Sequence, residues 1–289
     1  MHAELRHASA MVFVASSHFS PETPPTGALD IDPADVHHLT RVLRLELGEP
    51  VAASDGRGSW RMCSFAPPAR LVPTGPVMTA EAPTPAIAVG FVPTKGERPE
   101  WTVQKLTELG VDRIVVVASG RSVVHWRGDR ADRHLQKLRE VSRQAAMQSR
   151  RVFLPTVEGV VELEDLAAGR YARAGAEAIE APEAPAVDPG VRWLLAVPGG
   201  QPPALVAPTA AAVPGIPAPA IGVLVGPEGG WTPEEQRLEL PTVGLGDGVL
   251  RAETAALAAG ALLTSLRAGL VAPADDPGEP PLSARASEA

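Results

Sequence analysis

Two glycine-rich segments in the C-terminal half carry residue types that could bind a ligand and act on it. The first, Gly226-Pro-Glu-Gly-Gly230, follows an apolar run typical of a buried strand and precedes a predicted helix. Glycine has no Cβ, so backbone N–H and C=O groups in such a turn can approach a ligand closely. Thr232, Pro233 and Glu235 form the pattern of a capping box that begins the helix. The turn is a candidate ligand-binding loop, and a tight turn without a ligand is the alternative.

The second segment, Leu245-Gly-Asp-Gly-Val-Leu-Arg-Ala-Glu-Thr254, leads from a short predicted strand into an alanine-rich helix. Arg251, Glu253 and Thr254 crowd the first turn of that helix. An acidic side chain is stabilised at a helix N-terminus, so Glu253 needs no ligand to explain it. The positive charge of Arg251 opposes the helix dipole at this position. Arg251 therefore needs an anionic neighbour or ligand, and it is the more informative residue.

Other familiar catalytic patterns are missing from the sequence. The run Gly244-x-Gly246-x-Gly248 lacks the third glycine of a dinucleotide-binding fingerprint, and no Walker lysine follows a glycine loop. There is no Gly-x-Ser-x-Gly elbow for hydrolase chemistry. The seven histidines form no His-x-x-x-His pair, so the sequence gives little support for a metal site.

The elements that must position these segments alternate between strands and helices from residue 86 onward. This alternation predicts an α/β fold, with a parallel sheet covered by helices on its faces. In the first predicted helix, Trp101, Leu106 and Leu109 are expected on the inner face. The predicted strands are Ala86–Val92, Ile114–Ala118, Trp193–Val197, Ile221–Val225 and Val243–Leu245, and the predicted helices are Glu97–Leu109, Asp129–Gln148, Thr232–Leu240 and Ala252–Arg267.

The first 80 or so residues have a different, strand-rich pattern, so we predict two domains, 1–83 and 84–271. A segment rich in Pro and Ala, 198–220, is expected to be a flexible insertion, and the acidic tail 272–289 to be disordered. The expected N-terminal strands are Met11–Ala15, Trp60–Phe65 and Ala69–Val72, with a helix over Pro33–Leu43 and a proline-rich linker over Glu81–Pro85.

Composition limits the class of protein. The chain has 289 residues, a formal net charge of −8 and 45% hydrophobic residues, as expected for a folded globular protein. Cys63 is the only cysteine, which excludes disulfide scaffolds and favours a reducing compartment. No apolar run approaches the ~20 residues of a membrane helix, and no signal peptide is recognisable. We expect a soluble cytoplasmic protein with no membrane or metal partner.

Basic residues are concentrated in one part of this acidic chain. Residues 95–151 hold 13 basic and 7 acidic side chains, which is half of the 26 basic residues in the whole sequence. Arginine binds phosphate through a bidentate fork, so this region could form a surface for a polyanion such as RNA. A solvated helix face is the alternative interpretation.

Taken together, the two glycine-rich segments resemble the RsmE family of SPOUT methyltransferases. Three further motifs resemble that family, and the similarity runs from about residue 11 to 270 in matching order. Met147 and Arg150 depart from it, because the family often has Glu and Gly there. The further motifs are Lys95-Gly-Glu-Arg-x-Glu-x-Thr-Val-Gln-Lys105 with Glu108-Leu-Gly-Val111, Gln148-Ser149 with Arg151-x-x-x-Pro155, and His38-Leu-Thr-Arg-Val-Leu-Arg44.

The resemblance implies a fold and an activity. Residues 1–83 would form a PUA-like RNA-binding β-barrel and residues 84–271 a SPOUT methyltransferase domain with a deep trefoil knot. Such proteins are homodimers that bind S-adenosylmethionine and methylate N3 of one uridine in 16S ribosomal RNA, near the decoding centre. Two alternatives stay open: a related methyltransferase that acts on another RNA, and a ribosome-associated RNA-binding protein that has lost catalysis.

The resemblance also implies site residues. Arg251 is the candidate to stabilise negative charge on the uracil ring, with Glu253 and Thr254 positioning it or handling the proton. The backbone at Gly229 is expected to approach the methyl donor too closely to leave room for a side chain. Cofactor binding is carried over to Ala196, Val197, Pro198, Val225, Gly226, Glu228, Gly229, Gly230, Leu245, Gly246, Val249 and Leu250, and RNA binding to Arg41, Arg44, Lys95, Arg143, Arg150 and Arg151.

Overall fold

Two six-stranded β-sheets organise the chain. The computed structural model describes residues 3–19, 27–66, 70–170, 190–200 and 220–271. The predicted tail, 272–289, and all of the predicted insertion except 198–200 and 220 lie outside the described residues.

The first sheet has the order β1-β3-β4-β5-β2, with β6 paired to β4. Strands β1 and β3 are parallel, and the other pairs are antiparallel. Its core holds Trp60, Phe65 and Leu71, and burial raises the pKa of the Cys63 thiol to about 12. The elements are α1 (Ala3–His7), β1 (Ala10–Phe13), a 3₁₀ turn (Ser16–Phe19), β2 (Leu29–Asp30), α2 (Pro33–His37) continued by a π-helical turn (His38–Val42), β3 (Pro50–Ser54), β4 (Ser59–Ala66), β5 (Arg70–Pro73) and β6 (Met78–Thr79).

The second sheet is parallel throughout, with the order β12-β10-β11-β7-β8-β9. The predicted α/β fold is confirmed. The elements are β7 (Ile87–Phe91), α3 (Arg98–Leu109), β8 (Arg113–Ala118), α4 (Gly128–Gln148), β9 (Thr156–Glu162), α5 (Leu163–Ala167), β10 (Val191–Ala196), β11 (Ala220–Val225), α6 (Pro233–Gln236), β12 (Thr242–Val243) and α7 (Ala252–Arg267).

The loop that follows β10 crosses the end of β12 at two glycines. A Cβ on Gly200 would lie 2.5 Å from the carbonyl carbon of Val243 and 2.6 Å from the amide nitrogen of Gly244. A Cβ on Gly244 would in turn collide with the carbonyl oxygen of Gly200. Only glycine lets two backbones pass at this distance.

The structure corrects several predicted details. The helix predicted over Thr232–Leu240 spans only Pro233–Gln236, and sequence patterns gave no prediction for β9 and α5. Trp101 and Leu109 are not on the inner face of α3, since 44% and 38% of their surfaces are exposed. Threonines take those inner positions instead, and the buried hydroxyl of Thr107 hydrogen-bonds to the carbonyl of Val103 and to Ser142 of α4. Satisfied polar groups can thus replace large apolar ones in the core.

An ion pair connects the first sheet's helix α2 to α4. Both Nη atoms of Arg143 donate to the carboxylate of Asp35, at 2.9 and 2.5 Å, and this hydrogen bonding raises the pKa of Arg143. The carboxylate is almost fully buried. The Arg143 guanidinium is therefore held inside the protein, because α2 covers it.

Arg151 is also occupied inside the protein. Its Nη1 donates to the carbonyls of Thr107 and Val111, and its Nη2 donates to Asp112. Asp112 also accepts hydrogen bonds from the amide of Ile87 and from Arg267 at the end of α7. Asp112 thus ties together the start of β7, the end of α7 and the chain after α4.

We predict that Arg143→Ala destabilises the folded protein by roughly 3–5 kcal/mol, because it leaves the buried Asp35 carboxylate without its partner. Urea unfolding measures this loss. The control is Arg133→Ala, which removes an exposed arginine from the same helix and is expected to cost less than about 0.5 kcal/mol. Equal losses for the two variants would contradict a stabilising role for the pair.

Candidate functional site

A cavity of about 520 Å³ lies at the carboxyl ends of β10, β11 and β12. We call it the glycine-loop cavity. In parallel α/β sheets, ligands usually bind at the carboxyl ends of the strands. The structure brings together there nearly all of the residues predicted for cofactor binding, namely Ala196, Val197, Pro198, Val225, Gly226, Glu228, Gly230, Leu245, Gly246, Val249 and Leu250. Sequence reasoning missed other lining residues, among them Arg121, Leu195, Trp231, Gln236, Thr242, Gly248, Ala252 and Ala255.

Local bonds fix the shape of the loop Gly226–Gly230. The predicted capping box is present: the Thr232 amide donates to Glu235 at 2.6 Å, and the Glu235 amide donates to the Thr232 hydroxyl at 3.1 Å. The Trp231 indole N–H donates to the carbonyl of Ala196 at 3.1 Å. A Cβ on Gly226 would lie only 2.9 Å from that indole ring. Only a glycine at position 226 thus lets the Trp231 ring pack this closely against the loop.

Gly229 is the one predicted cofactor-binding residue outside the lining of the glycine-loop cavity. A Cβ placed on it would lie 3.7 Å from Arg121, an ordinary contact distance. Its carbonyl accepts a hydrogen bond from the Arg121 guanidinium at 2.9 Å. Within the protein itself a side chain therefore has room at Gly229. The expectation that this backbone closely approaches the methyl donor stays a prediction.

A second, larger space of about 1290 Å³ lies between the two sheets, and we call it the interdomain groove. One side is formed by residues of the first sheet region, including Met11 and Asp35, and the other by α3, α4 and the start of α7. All three predicted catalytic residues line this groove: Arg251, Glu253 and Thr254.

The first turn of α7 separates the groove from the glycine-loop cavity. Ala252 and Ala255 face the cavity, whereas Arg251, Glu253 and Thr254 face the groove. A helical turn places successive residues on different sides of its axis. The two spaces are therefore neighbours on opposite sides of one helix end.

The charges at this helix end are incompletely paired. Arg251 is exposed at the N-cap, and its side chain has no hydrogen bond or ion pair within the described part of the chain. Glu253 is 13% exposed, and its Oε1 lies 3.6 Å from Nε of Arg98. Its Oε2 is buried and lacks a hydrogen-bond partner among the described residues. Arg251 thus presents an exposed guanidinium at this helix end, whereas Glu253 holds a buried carboxylate oxygen without a partner among the described residues.

Arg98 links the two spaces and was not predicted as a site residue. Its guanidinium lies 3.7 Å from Glu228 of the glycine loop and 3.6 Å from Glu253 of α7. The sequence could have indicated Arg98 as a site residue, because it belongs to the family motif that begins at Lys95.

The residues predicted to bind RNA do not form one surface. Arg41, Arg44 and Lys95 are exposed. Arg150 lines the groove but donates to the carbonyls of Ala8 and Ser9, and burial lowers the pKa of its guanidinium. Arg143 and Arg151 have their donors bound by Asp35 and Asp112. The prediction that this pair binds RNA is corrected, because intramolecular carboxylates and carbonyls already occupy their guanidinium groups.

Family models match most of this architecture. Residues 80–264 match a model described as an RNA methyltransferase domain, and residues 31–66 match an RNA methyltransferase PUA domain. The fold and the cavity at the sheet edge agree with these matches. The chain belongs to this RNA methyltransferase family, which confirms the resemblance derived from the motifs.

Two curated relatives are named ribosomal RNA small subunit methyltransferase E. The one from Mycobacterium bovis is 32% identical over 142 residues, covering 48% of this chain and 54% of the relative. The one from Bacillus subtilis is 27% identical over 150 residues, covering 50% and 57%. The chain spans about half the length of the curated relatives it matches.

Solved structures match over a larger share of the chain. Ribosomal RNA small subunit methyltransferase E from Neisseria gonorrhoeae, bound to S-adenosylmethionine, is 25% identical with a TM-score of 0.65, covering 89% of this chain and 97% of that one. An rRNA-methyltransferase structure from Porphyromonas gingivalis is 22% identical with a TM-score of 0.64, covering 91% and 100%, and shows the fold alone. Within the described residues, no helix is long and apolar enough to cross a membrane.

Proposed function

We propose that this protein transfers a methyl group from S-adenosylmethionine to N3 of a uridine in 16S ribosomal RNA. The observation that carries the proposal is the arrangement around the first turn of α7. A cavity suited to a small cofactor lies on one side, and a groove with Arg251 and Glu253 lies on the other. The names of the relatives in Mycobacterium bovis and Bacillus subtilis support the ribosomal substrate.

The glycine-loop cavity fits S-adenosylmethionine. Its volume of about 520 Å³ lies within the roughly 300–1,000 Å³ of small-molecule sites. Backbone of the loops 196–198, 226–228 and 245–250 would hold the cofactor, and Gly226 lets the Trp231 ring pack closely against the second of these loops. When bound, S-adenosylmethionine supplies a methyl group carried on a positively charged sulfur. The related structure from Neisseria gonorrhoeae contains this molecule.

Residues of the groove would prepare the uracil ring. N3 carries a proton, and it is a poor nucleophile until that proton leaves. The carboxylate of Glu253 would accept the proton, and Arg98 would hold that carboxylate in place. The ring anion spreads charge onto its two carbonyl oxygens, where Arg251 would stabilise it. Thr254 would help to position the ring, since orientation supplies much of the rate in such a transfer.

The remaining expectations from the resemblance stay part of this proposal. The first sheet region would bind RNA through Arg41 and Arg44, with Lys95 beside the site. The chain would form a deep trefoil knot, and the close passage of Gly200 against Gly244 supports a threaded loop. The uridine would lie near the decoding centre, and the reaction would take place in the cytoplasm.

The proposed activity predicts that the purified protein forms 3-methyluridine in 16S RNA when incubated with S-adenosylmethionine and small ribosomal subunits that lack the modification. Mass spectrometry of digested nucleosides detects the product. Arg251→Ala is expected to lower the single-turnover rate about a hundredfold, or roughly 3 kcal/mol, and Glu253→Gln to lower it as well. Both variants should bind the cofactor within a few-fold of the unmodified protein, because these contacts form mainly in the transition state.

The control for Arg251→Ala is Arg237→Ala, which removes an exposed arginine whose ion pair, among the residues that the structure describes, is with Glu234 on the surface. It should leave the rate unchanged. A wild-type rate for Arg251→Ala would refute the assigned role. Methylation of a different RNA would favour the alternative of a related methyltransferase, and cofactor binding without any methylation would favour an inactive RNA-binding protein.

A matched pair of substitutions in one loop tests the cofactor cavity. Gly226→Ala places a Cβ 2.9 Å from the buried Trp231 ring, so we expect the affinity for S-adenosylmethionine to fall at least tenfold in calorimetry. Gly229→Ala places its Cβ at an ordinary contact distance, so its affinity should stay within a few-fold. Melting temperatures check that both variants fold. Unchanged affinity in Gly226→Ala would show that the cofactor does not depend on this loop, and an equal loss in Gly229→Ala would show that Gly229 also contacts it.

A symmetric homodimer is also part of the proposal. The outer face of α7 is apolar and partly exposed at Ala258, Ala261, Leu262 and Leu266, and Val249 nearby is 90% exposed. Burial of these groups against a second copy would be favourable. Sedimentation velocity at micromolar concentration should give twice the monomer mass. A species of monomer mass alone would rule the dimer out.

A further inference from the structure

Trp101 differs from every other tryptophan in the protein. The sequence has five, and all five lie in the described residues. Four are buried, at Trp60, Trp126, Trp193 and Trp231, whereas 44% of the surface of Trp101 is exposed. This large ring stands on the wall of the interdomain groove, which Arg251 and Glu253 also line.

Neutral amide groups share the groove with this ring. Gln104 lies one helical turn beyond Trp101 on α3, and Gln144 and Gln148 lie one turn apart on α4. All three glutamines are exposed and line the groove. A glutamine amide both donates and accepts hydrogen bonds, as the edges of nucleobases do.

The charges in the groove nearly cancel. Its lining contains four basic and five acidic side chains. Several of them are already paired: Lys137 with Glu100 at 2.7 Å, and Arg98 with Glu253 at 3.6 Å. Binding through phosphates alone, whether of a duplex or of a single strand, needs an excess of positive charge. This groove instead offers an aromatic face and amides, which suit unpaired bases.

We propose that the interdomain groove binds single-stranded RNA and that Trp101 stacks on a base next to the uridine to be methylated. This inference rests on the proposed function, because it assigns the form in which the RNA substrate enters the same site. Gln104, Gln144 and Gln148 would contact the edges of the neighbouring bases. Trp101 is a positioning residue for the reaction, since it holds the strand and does not act on N3.

The exposure of Trp101 makes a selective experiment possible. Acrylamide quenches exposed tryptophans, so in this protein it reports mainly on Trp101. A single-stranded uridine-rich RNA of ten nucleotides is expected to shield Trp101 from acrylamide. A fully paired RNA duplex of the same length is expected to leave the quenching unchanged.

Substitutions then connect the ring to affinity. Trp101→Ala should weaken binding of the single strand about ten- to a hundredfold, whereas Trp101→Phe, which keeps an aromatic face, should bind within a few-fold of the unmodified protein. The control is Leu109→Ala, an exposed apolar residue on the same helix that is absent from the groove lining. With 16S RNA, Trp101→Ala should raise KM more than it lowers kcat, and affinity for S-adenosylmethionine should not change.

The outcomes separate this inference from the proposed function. If Trp101→Ala binds the single strand and methylates 16S RNA as the unmodified protein does, the stacking role is wrong and the methyltransferase function stands. If the single strand shields Trp101 but no 3-methyluridine forms, the function is wrong and the base-binding site stands. Equal shielding by the duplex, or no binding of either RNA, would overturn the inference.

Discussion

The close passage of two backbone segments at Gly200 and Gly244 is the constraint on which the site depends. A side chain on either residue would collide with the backbone of the other segment. Their contact lets β12 pair with β10 at the edge of the sheet. The loops after β10 and β12 then meet beside the loop Gly226–Gly230. Two walls of the glycine-loop cavity are therefore held together by one backbone crossing.

Helix α7 comes next along the chain after β12 and its loop. Its first turn separates the glycine-loop cavity from the interdomain groove. Small side chains, Ala252 and Ala255, face the glycine-loop cavity, and the charged residues Arg251 and Glu253 face the interdomain groove. Arg98 forms ion pairs with both Glu228 and Glu253, and these pairs connect the loop Gly226–Gly230 to the first turn of α7. A small cofactor and a large substrate can thus be held on opposite sides of one helix end. The groove also needs the first sheet region, which Asp35 and Arg143 hold against α4.

Local sequence patterns were sufficient for the parallel α/β sheet, most helix and strand positions and the loop Gly226–Gly230, whereas the other loops around the cavity were carried over from the family resemblance. The glycine loops follow apolar strands whose pattern needs no distant contact to be recognised, and the capping box of Thr232 and Glu235 is a bonding unit of four residues. The unfavourable position of Arg251 at a helix N-terminus is likewise a local property. It correctly drew attention to a side chain that lacks a partner within the described part of the chain.

Long-range packing decided what the sequence could not. Whether an arginine is free depends on carboxylates far along the chain: Asp35 lies 108 residues from Arg143. Arg143 and Arg251 are the same residue type in the sequence. Only the folded structure shows that the guanidinium group of Arg143 is already paired. In the same way, the helical period alone predicted Trp101 on the inner face of α3. In the folded protein, the threonines of α3 are buried where this helix packs on α4 and α7, and the Trp101 ring lies in the groove. The sequence determined the types of element and the glycine-rich turn before α6, because short-range bonds set them. Tertiary structure alone decided the crossing at Gly200, the separation of cavity from groove and the exposure of Trp101, because these require residues distant in sequence to meet.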